Sequence, residues 1–340
     1  MLLNSFNEDL HTRMLELMWR QWTALGVHGY GASWEGSPVD PDSLLLFSCT
    51  AARQDARLFD AVVEWMEHNG RYVGVARVRR MLGSGAFAGE QVFHAVVHAT
   101  ADSESAPKWK RLARHFEREP GEEPLFHLSN GKPLPVVGEP DSRFLKWGLI
   151  RDRYESRGVA GMFDSRNPVS ILLRLRALLG VNARCEILLY LMLNPSGTPR
   201  AMARACGYEP TTVVKAMREM ADSGLLDVRK DGRHTVCRIE AEDWCRLLIE
   251  EDVPLSWISW SQLFGALERI MTVLDHAVRT EESELAQASI LRRVFEQGVI
   301  EALEKAGVEW RFGDLRALPG AELVPHAIAK LDQLLQELGV

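Results

Sequence analysis

A single glycine interrupts a run of helix-forming sequence near the middle of the chain. Ala203 is followed by Gly207 four residues later and by Tyr208 at the next position, and Val213 and Met217 follow at ten and fourteen residues. Two helices that cross through a tight turn need a small residue at the crossing and glycine at the turn. They also need apolar residues that can be buried after the turn and along the second helix. The spacing therefore predicts a helix–turn–helix.

The segments on either side extend this prediction. A preceding helix, RCEILLYLML, ends at Asn194-Pro195, and Thr198 is placed to cap the next helix with Pro199 in its first turn. After the second helix, residues 225–229 and 234–239 are predicted strands, joined by a two-residue turn at Asp231-Gly232. The predicted order is a helix, a helix–turn–helix and a β-hairpin.

In this order, the segment from about Asn182 to Leu248 resembles the winged-helix regulators of the bacterial MarR and ArsR type. The resemblance covers about 65 of the 340 residues. It implies that the second helix enters the major groove of DNA and that the hairpin, or wing, lies beside the backbone or the minor groove. One departure is Glu209, where these proteins usually place Ser or Thr as the helix cap. A carboxylate also favours a helix N-terminus, but it would lie near phosphates.

The resemblance also implies roles for individual side chains. The outer face of the second helix would read bases, through Thr211, Thr212, Lys215 and Glu219. Basic side chains would contact phosphates: Arg200, Arg204, Arg218, Arg229, Lys230, Arg233 and His234. The alternative is that these are solvated charges on a winged helix that binds a protein, for example in an antitoxin-like or phage-defence component, because fold alone does not determine function. The basic tip at residues 229–234 favours DNA.

The net charge of −7 is distributed unevenly along the chain. Residues 1–80 carry −2, residues 81–180 carry +2, residues 181–240 carry +2 and residues 241–340 carry −9. Charges farther away than a Debye length of about 8 Å are screened, so the local balance matters most for contact with phosphates. The total charge argues against a protein that coats DNA regardless of its sequence.

The rest of the chain predicts a mostly α protein with a helical domain on each side of the central one. We expect a helical N-terminal domain at residues 1–118, a Pro/Gly-rich connector at 119–168, the winged helix-turn-helix domain with its two-stranded β wing at 169–250, and a helical C-terminal domain at 251–340. Outside the central domain, apolar periodicity predicts helices at residues 6–25, from Pro41 onward, and at 55–69, 86–100, 108–117, 284–306 and 325–338.

The C-terminal domain carries a narrow apolar seam, Leu263, Leu267, Ile270, Leu274 and Ala277. Such a seam suits pairing with another helix. The sequence leaves two options open for it. It is either the contact of a homodimer or an internal core packed against residues 291–302.

Other groups of reactive residues match no known site. His94 and His98 have the spacing of two ligands on a helix but no evident third ligand. The cysteines at 185, 206, 237 and 245 match no zinc signature and favour core packing. Gly36-Ser37 before Asp40 and Asp42 faintly resembles a nucleotidyltransferase motif, but the carboxylates follow too closely. We expect no enzyme, no catalytic residue, no metal and no cofactor.

These patterns together predict where and how the protein acts. No apolar run approaches the roughly 18 residues that span a bilayer, and no secretory signal is visible, so we expect a cytoplasmic protein without membrane association. Five cysteines at irregular spacing do not indicate a disulfide framework. The expected function is sequence-specific binding of double-stranded DNA in transcription regulation, by a homodimer. The alternative partner is a protein.

Overall fold

The computed structural model describes residues 2–100, 108–109, 112, 121–128, 131–231, 234–248, 254–280, 283–307 and 312–340. Across these residues the protein is mostly helical, and its β structure consists of two small two-stranded sheets. None of the helices in the described ranges is long and apolar enough to cross a membrane.

The N-terminal part contributes helices α1 (Leu2–Ala24), α2 (Pro41–Ala51), α3 (Ala56–Asn69), α4 (Val75–Gly83) and α5 (Glu90–Ala99). Aspartates determine where two of them begin. The carboxylate of Asp40 accepts hydrogen bonds from backbone N–H groups at the start of α2, and Asp55 does the same for α3. Helix α4 is absent from the sequence predictions, and α5 begins four residues later than predicted. The predicted helix at 108–117 lies mostly outside the described residues.

The connector is attached to this helical part along its length. It contains strand β1 (Glu123–Pro124), the short helix α6 (Ser142–Leu145) and strand β2 (Leu149–Ile150), which pairs in parallel with β1. Phe144 and Trp147 are buried, as their apolar character predicts. The buried carboxylate of Glu64 on α3 accepts hydrogen bonds from the backbone N–H groups of Arg157 and Ala160, at 3.0 and 3.1 Å.

The C-terminal helices are α12 (Trp260–Arg279), α13 (Glu284–Val294), α14 (Ile300–Lys305) and α15 (Leu323–Glu337). The prediction of a single helix at residues 284–306 is wrong. The helical segment is interrupted at residues 295–299, where Gln297 leaves the helical conformation and Gly298 has a φ of 92°. Only glycine adopts such a backbone without strain, so this residue permits the break between α13 and α14.

The apolar seam on α12 is internal. Leu263, Leu267 and Ile270 are completely buried, and Leu274 and Ala277 are at most 2% exposed. They belong to one hydrophobic core with side chains of α1, α2, α3 and α13, so the segments at the two ends of the sequence pack together. We call this part of the protein the body. Because the seam is already covered by the chain itself, a homodimer contact would need a different surface.

A second hydrophobic core belongs to the middle of the chain, which we call the central unit. It comprises helices α7 (Ile171–Leu179), α8 (Ala183–Leu193), α9 (Pro199–Cys206) and α10 (Pro210–Asp222), strands β3 (Asp227–Asp231) and β4 (His234–Arg238), and helix α11 (Ala241–Leu248). Apolar side chains of α8, α9 and α10 fill this core together with Leu226 and Cys237 near the hairpin. The central unit therefore packs its own interior and meets the body across a boundary between two cores.

Candidate nucleic-acid interface

The turn between α9 and α10 follows the residues that predicted it. The hydroxyl of Thr198 accepts a hydrogen bond from the backbone N–H of Ala201 at 3.2 Å and caps α9. Gly207 ends that helix with a φ of 71° and a left-handed conformation. Tyr208, Val213 and Met217 are at most 7% exposed, so the apolar positions after the turn are buried as predicted.

Gly207 is the one position of this turn where a side chain would be strained. Its φ of 71° disfavours any β-branched residue, and an added Cβ would come within 3.4 Å of Arg77 Nε. We expect Gly207→Val to destabilise the protein by about 1–3 kcal/mol and to accelerate amide hydrogen exchange in α10. Gly31→Val is the matched control, because a Cβ at Gly31 meets no atom within 4 Å. Exchange in α10 that is equally slow in both variants would refute the importance of the turn.

The hairpin lies directly after α10. β3 and β4 pair in antiparallel register from Asp227–Arg238 to Asp231–His234, and a further bridge joins Cys237 to Gly197 ahead of α9. Asp231 therefore belongs to β3, so the prediction that it forms the turn together with Gly232 is wrong. Gly232 and Arg233 lie outside the described residues.

The side chains predicted to read bases share the outer face of α10. All four are exposed to solvent: Thr211, Thr212, Lys215 and Glu219. The opposite face carries Val213, Met217 and Met220, which are at most 5% exposed and fill the core of the central unit. A carboxylate oxygen of Glu219 lies 3.9 Å from a guanidinium nitrogen of Arg184, and the two side chains form a weak, exposed ion pair. The outer face is therefore accessible and mainly polar, with Val214 as an exposed apolar side chain on it.

The side chains predicted to contact phosphates lie on α9, on α10 and on the hairpin. Those on helices and strands with described side chains are exposed: Arg200, Arg204, Arg218, Arg229 and Lys230. Arg229 pairs with Asp227 at 2.7 Å, and both are largely exposed, so this pair exchanges readily with other partners. His234 lies at the start of β4, and nothing is described of its side chain. Arg233 lies outside the described residues.

Glu209 does not cap α10 with its side chain, although its position before the helix predicts that role. It occupies the residue before α10, but its side chain accepts no hydrogen bond from the helix. Its carboxylate instead forms an ion pair with Arg80 of α4. The body therefore reaches the beginning of α10, a contact that the sequence analysis did not foresee.

A buried network of charges lies behind the turn, on the side of the body. Asp40 and Asp42 at the start of α2 both accept hydrogen bonds from Arg77 of α4, whose side chain is only 3% exposed. Arg77 Nε donates to the backbone carbonyl of Cys206 at 2.7 Å, the last residue of α9. Burial alone would raise the pKa of Asp40, but the Arg77 guanidinium outweighs it and lowers that pKa to about 2.

A second arginine extends the network into the central unit. Arg176 of α7 is buried and donates to both oxygens of Asp42, at 2.7 and 2.8 Å, and to Glu186 of α8 at 3.0 Å. The other oxygen of Glu186 accepts from the hydroxyl of Tyr208 at 3.2 Å. Burial disfavours the charged guanidinium of Arg176, but Asp42 and Glu186 keep its pKa well above the usual value. Every carboxylate in the network thus has a cationic partner.

This network attaches the turn to the body through directional contacts. Charged hydrogen bonds have strict geometry, so they determine the register between the two cores more closely than apolar contacts do. A cavity of about 20 Å³ beside it is lined by residues that include Val39, Leu189 and Trp260, and it has room for about one water molecule. The network consists of paired charges and holds the turn in position.

Sequence reasoning missed Arg77, Arg80, Arg176 and Glu186. A signal for α4 was present, since Val75, Val78 and Leu82 have the spacing of one helical face. Asp40 and Asp42, which in the sequence only faintly resemble a nucleotidyltransferase motif, are ion-paired and buried.

The remaining groups singled out from the sequence lie in packed surroundings. His94 is buried and its ring stacks on Trp147, and burial lowers its pKa to about 4. Cys185, Cys206 and Cys237 are buried, and burial raises the pKa of each thiol. No group of three or more His, Cys, Asp or Glu side chains suited to a metal ion occurs among the described residues.

Comparison with known proteins found no match. No family model, no curated protein and no solved structure matches this chain.

Proposed function

We propose that the central unit is a winged helix that binds double-stranded DNA of specific sequence and that the protein regulates transcription. The observation that carries this proposal is the outer face of α10, which is exposed and mainly polar and is followed in the chain by a hairpin with exposed Arg229 and Lys230. A helix of this kind fits the major groove, and a basic hairpin next to it can follow the backbone.

Side-chain chemistry supports separate roles for the two elements. Thr211, Thr212 and Lys215 offer hydroxyl and ammonium groups that can bind base edges. The exposed arginines of α9, α10 and the hairpin can pair with phosphates, which position the protein without reading sequence. Because residues 181–240 carry a net charge of +2, the acidic C-terminal region does not cancel the local attraction.

A homodimer belongs to the same proposal. One helix per chain reads only a few base pairs, whereas two copies related by a twofold axis would read half-sites about 34–36 Å apart. The α12 seam is buried and does not provide the contact, so another surface of the body or of the central unit must do so. Light scattering at micromolar concentration, with and without DNA, measures the assembly directly.

The test of DNA binding uses duplexes selected from a random library by the protein itself. We expect Arg229→Ala/Lys230→Ala/Arg233→Ala to weaken binding to selected and random duplexes alike. The slope of log affinity against log salt should fall by about 0.9 for each lost phosphate contact. Lys215→Ala, in contrast, should weaken binding to the selected duplex more than to the random one.

The matched control removes three exposed arginines from the connector, Arg153, Arg157 and Arg166. This variant has the same change in net charge and should keep the wild-type slope. Equal slopes for the hairpin variant and the wild type would exclude contact of the hairpin with DNA. Failure to select any duplex would contradict the proposed function itself.

A protein partner is the second candidate function, and one observation favours it. The turn ahead of α10 packs against the body. The carboxylates of Glu209, just before the helix, and of Glu219, on its outer face, would be repelled by phosphates. If affinity purification from the native host returns a stoichiometric protein and no enriched duplex, this second function replaces the first.

A further inference from the structure

Helix α4 of the body presents a small basic face to solvent. Ala76, Arg79 and Gly83 are exposed and Arg80 has 37% of its side chain exposed, while Arg77, Val78, Met81 and Leu82 are buried. The two small residues allow another molecule to approach the helix closely at this face. The two arginines give the face a charge of +2 before any partner is counted.

Two contacts hold α4 next to the beginning of α10. Arg77 donates to the carbonyl of Cys206 at 2.7 Å, and the Arg80 guanidinium pairs with the carboxylate of Glu209. Residues three apart on a helix share a side, so both arginines are directed at the turn. Thr211 follows Glu209 by two positions, a chain distance of at most about 7 Å. The guanidinium of Arg80 is thus a close neighbour of the face proposed to read bases.

Any DNA duplex that binds α10 in its major groove must bring phosphates near the Arg80 guanidinium. The major groove is about 12 Å wide and is bordered by phosphates on both strands, which carry one charge per about 1.7 Å of helix axis. We propose that the exposed face of α4, through Arg79 and Arg80, contacts the phosphate backbone beside the groove that α10 occupies. This inference rests on the proposed function and adds a contact surface from the body to it.

When DNA is absent, the Glu209 carboxylate occupies the position beside Arg80 that a phosphate would take in the complex. In the free protein its carboxylate neutralises Arg80, and when DNA binds the guanidinium exchanges this partner for a phosphate oxygen. A guanidinium can pair with phosphate through two hydrogen bonds, which favours the exchange. The carboxylate left behind then repels nearby phosphates, so Glu209 opposes binding in both states.

The two partners of this ion pair therefore have opposite predicted effects. Removing the charge of Arg80 should weaken DNA binding, whereas Glu209→Gln should strengthen it severalfold, because Arg80 is released and a negative charge near the phosphates is lost. If the pair only held α10 against the body, both substitutions would weaken binding, since each breaks the same contact. An exposed ion pair contributes little to folding, so both variants should remain folded.

The experiment measures the affinity of the full-length protein for selected and random duplexes by fluorescence anisotropy, at several salt concentrations. We expect Arg79→Ala/Arg80→Ala to lower the salt slope by about 1.8, which is about 0.9 for each phosphate contact. Arg79→Lys/Arg80→Lys keeps both charges and should retain most of the slope. Arg153→Ala/Arg157→Ala on the connector is the matched control and should bind as the wild type does. Circular dichroism checks that each variant is folded.

The outcomes separate this inference from the function on which it rests. If the wild type binds duplex DNA and Arg79→Ala/Arg80→Ala binds with an unchanged slope, α4 does not touch DNA and the inference is wrong while the proposed function stands. Weaker binding by Glu209→Gln would overturn the partner exchange. If the wild type binds no duplex at all, the proposed function and the α4 surface fail together.

Discussion

Arg176→Met is expected to lower the free energy of unfolding by about 3–5 kcal/mol, the loss found when one partner of a buried ion pair is removed. The side chain of Arg176 is completely buried and binds two carboxylates and the carbonyl of Tyr72. Asp42 would still bind Arg77, but among the described residues the Glu186 carboxylate would keep only the neutral hydroxyl of Tyr208 as a hydrogen-bond partner. A carboxylate held in a buried site without a cation is strongly destabilising. Urea denaturation measures the change.

Arg174 provides the matched control on the same helix. It lies two residues away, is only partly buried, and donates to the backbone carbonyl groups of Leu247 and Leu248. Arg174→Met should therefore cost about 1–2 kcal/mol, because it removes two partly exposed hydrogen bonds of about 0.5–1.5 kcal/mol each. Adding Glu186→Met to Arg176→Met should recover part of the loss, because it removes the unpaired carboxylate. Equal stability of the Arg174 and Arg176 variants would show that the network does not hold the central unit on the body.

Glu268 should make the stability of the body depend on pH near neutrality. Its side chain is buried in α12, where one oxygen accepts from Thr50 and from the backbone N–H of Ala88, at 2.9 and 2.6 Å. Its other oxygen has no hydrogen-bond partner among the described residues. Burial raises the pKa of Glu268 from 4.5 to about 7. The neutral acid is therefore the form that fits the folded protein.

The sign of the pH effect follows from this pKa. Between pH 4.5 and 7 the folded protein binds a proton at Glu268 that the unfolded chain has lost, so stability falls as the pH rises through this window. The total loss is on the order of 3 kcal/mol at 1.4 kcal/mol for each pH unit. The nearby thiol of Cys49 does not titrate in this range, because burial raises its pKa well above the usual value.

Glu268→Gln isolates the effect. The difference in unfolding free energy between wild type and variant cancels the titration of other groups, and it should shift in favour of the variant from pH 4.5 to pH 7. Denaturant titrations at each pH give this difference. A difference that does not change with pH would mean that Glu268 is ionised at no cost in the folded protein.

Much of the local structure could be predicted because it depends on residues close together in the chain. The positive φ of Gly207, the cap at Thr198 and the start of α2 at Pro41 follow from side chains within a few positions. The exposed face of α10 follows from helical periodicity, since Val213 and Met217 mark the inner side. Local sequence also predicted the hairpin, although the strand extends through Asp231 and so excludes that residue from the turn.

The candidate site was only partly predictable for the same reason. The residues on α10 and on the hairpin could be named, because each lies at a recognisable place in a regular element. Arg80 could not, because its relation to Glu209 spans 129 positions and depends on how the body packs. A charged side chain has the same sequence pattern whether it is solvated, ion-paired or buried.

What the sequence by itself determined is therefore the order of the helices and strands in the middle of the chain and which side of each faces inward. The tertiary structure alone decided that the α12 seam is an internal core, that Asp42 meets Arg176 across 134 positions, and that α4 lies beside the start of α10. The physical reason is the range of the forces involved. Backbone hydrogen bonds and helical periodicity act over a few residues, whereas burial and ion pairing depend on which distant surfaces the whole chain brings together.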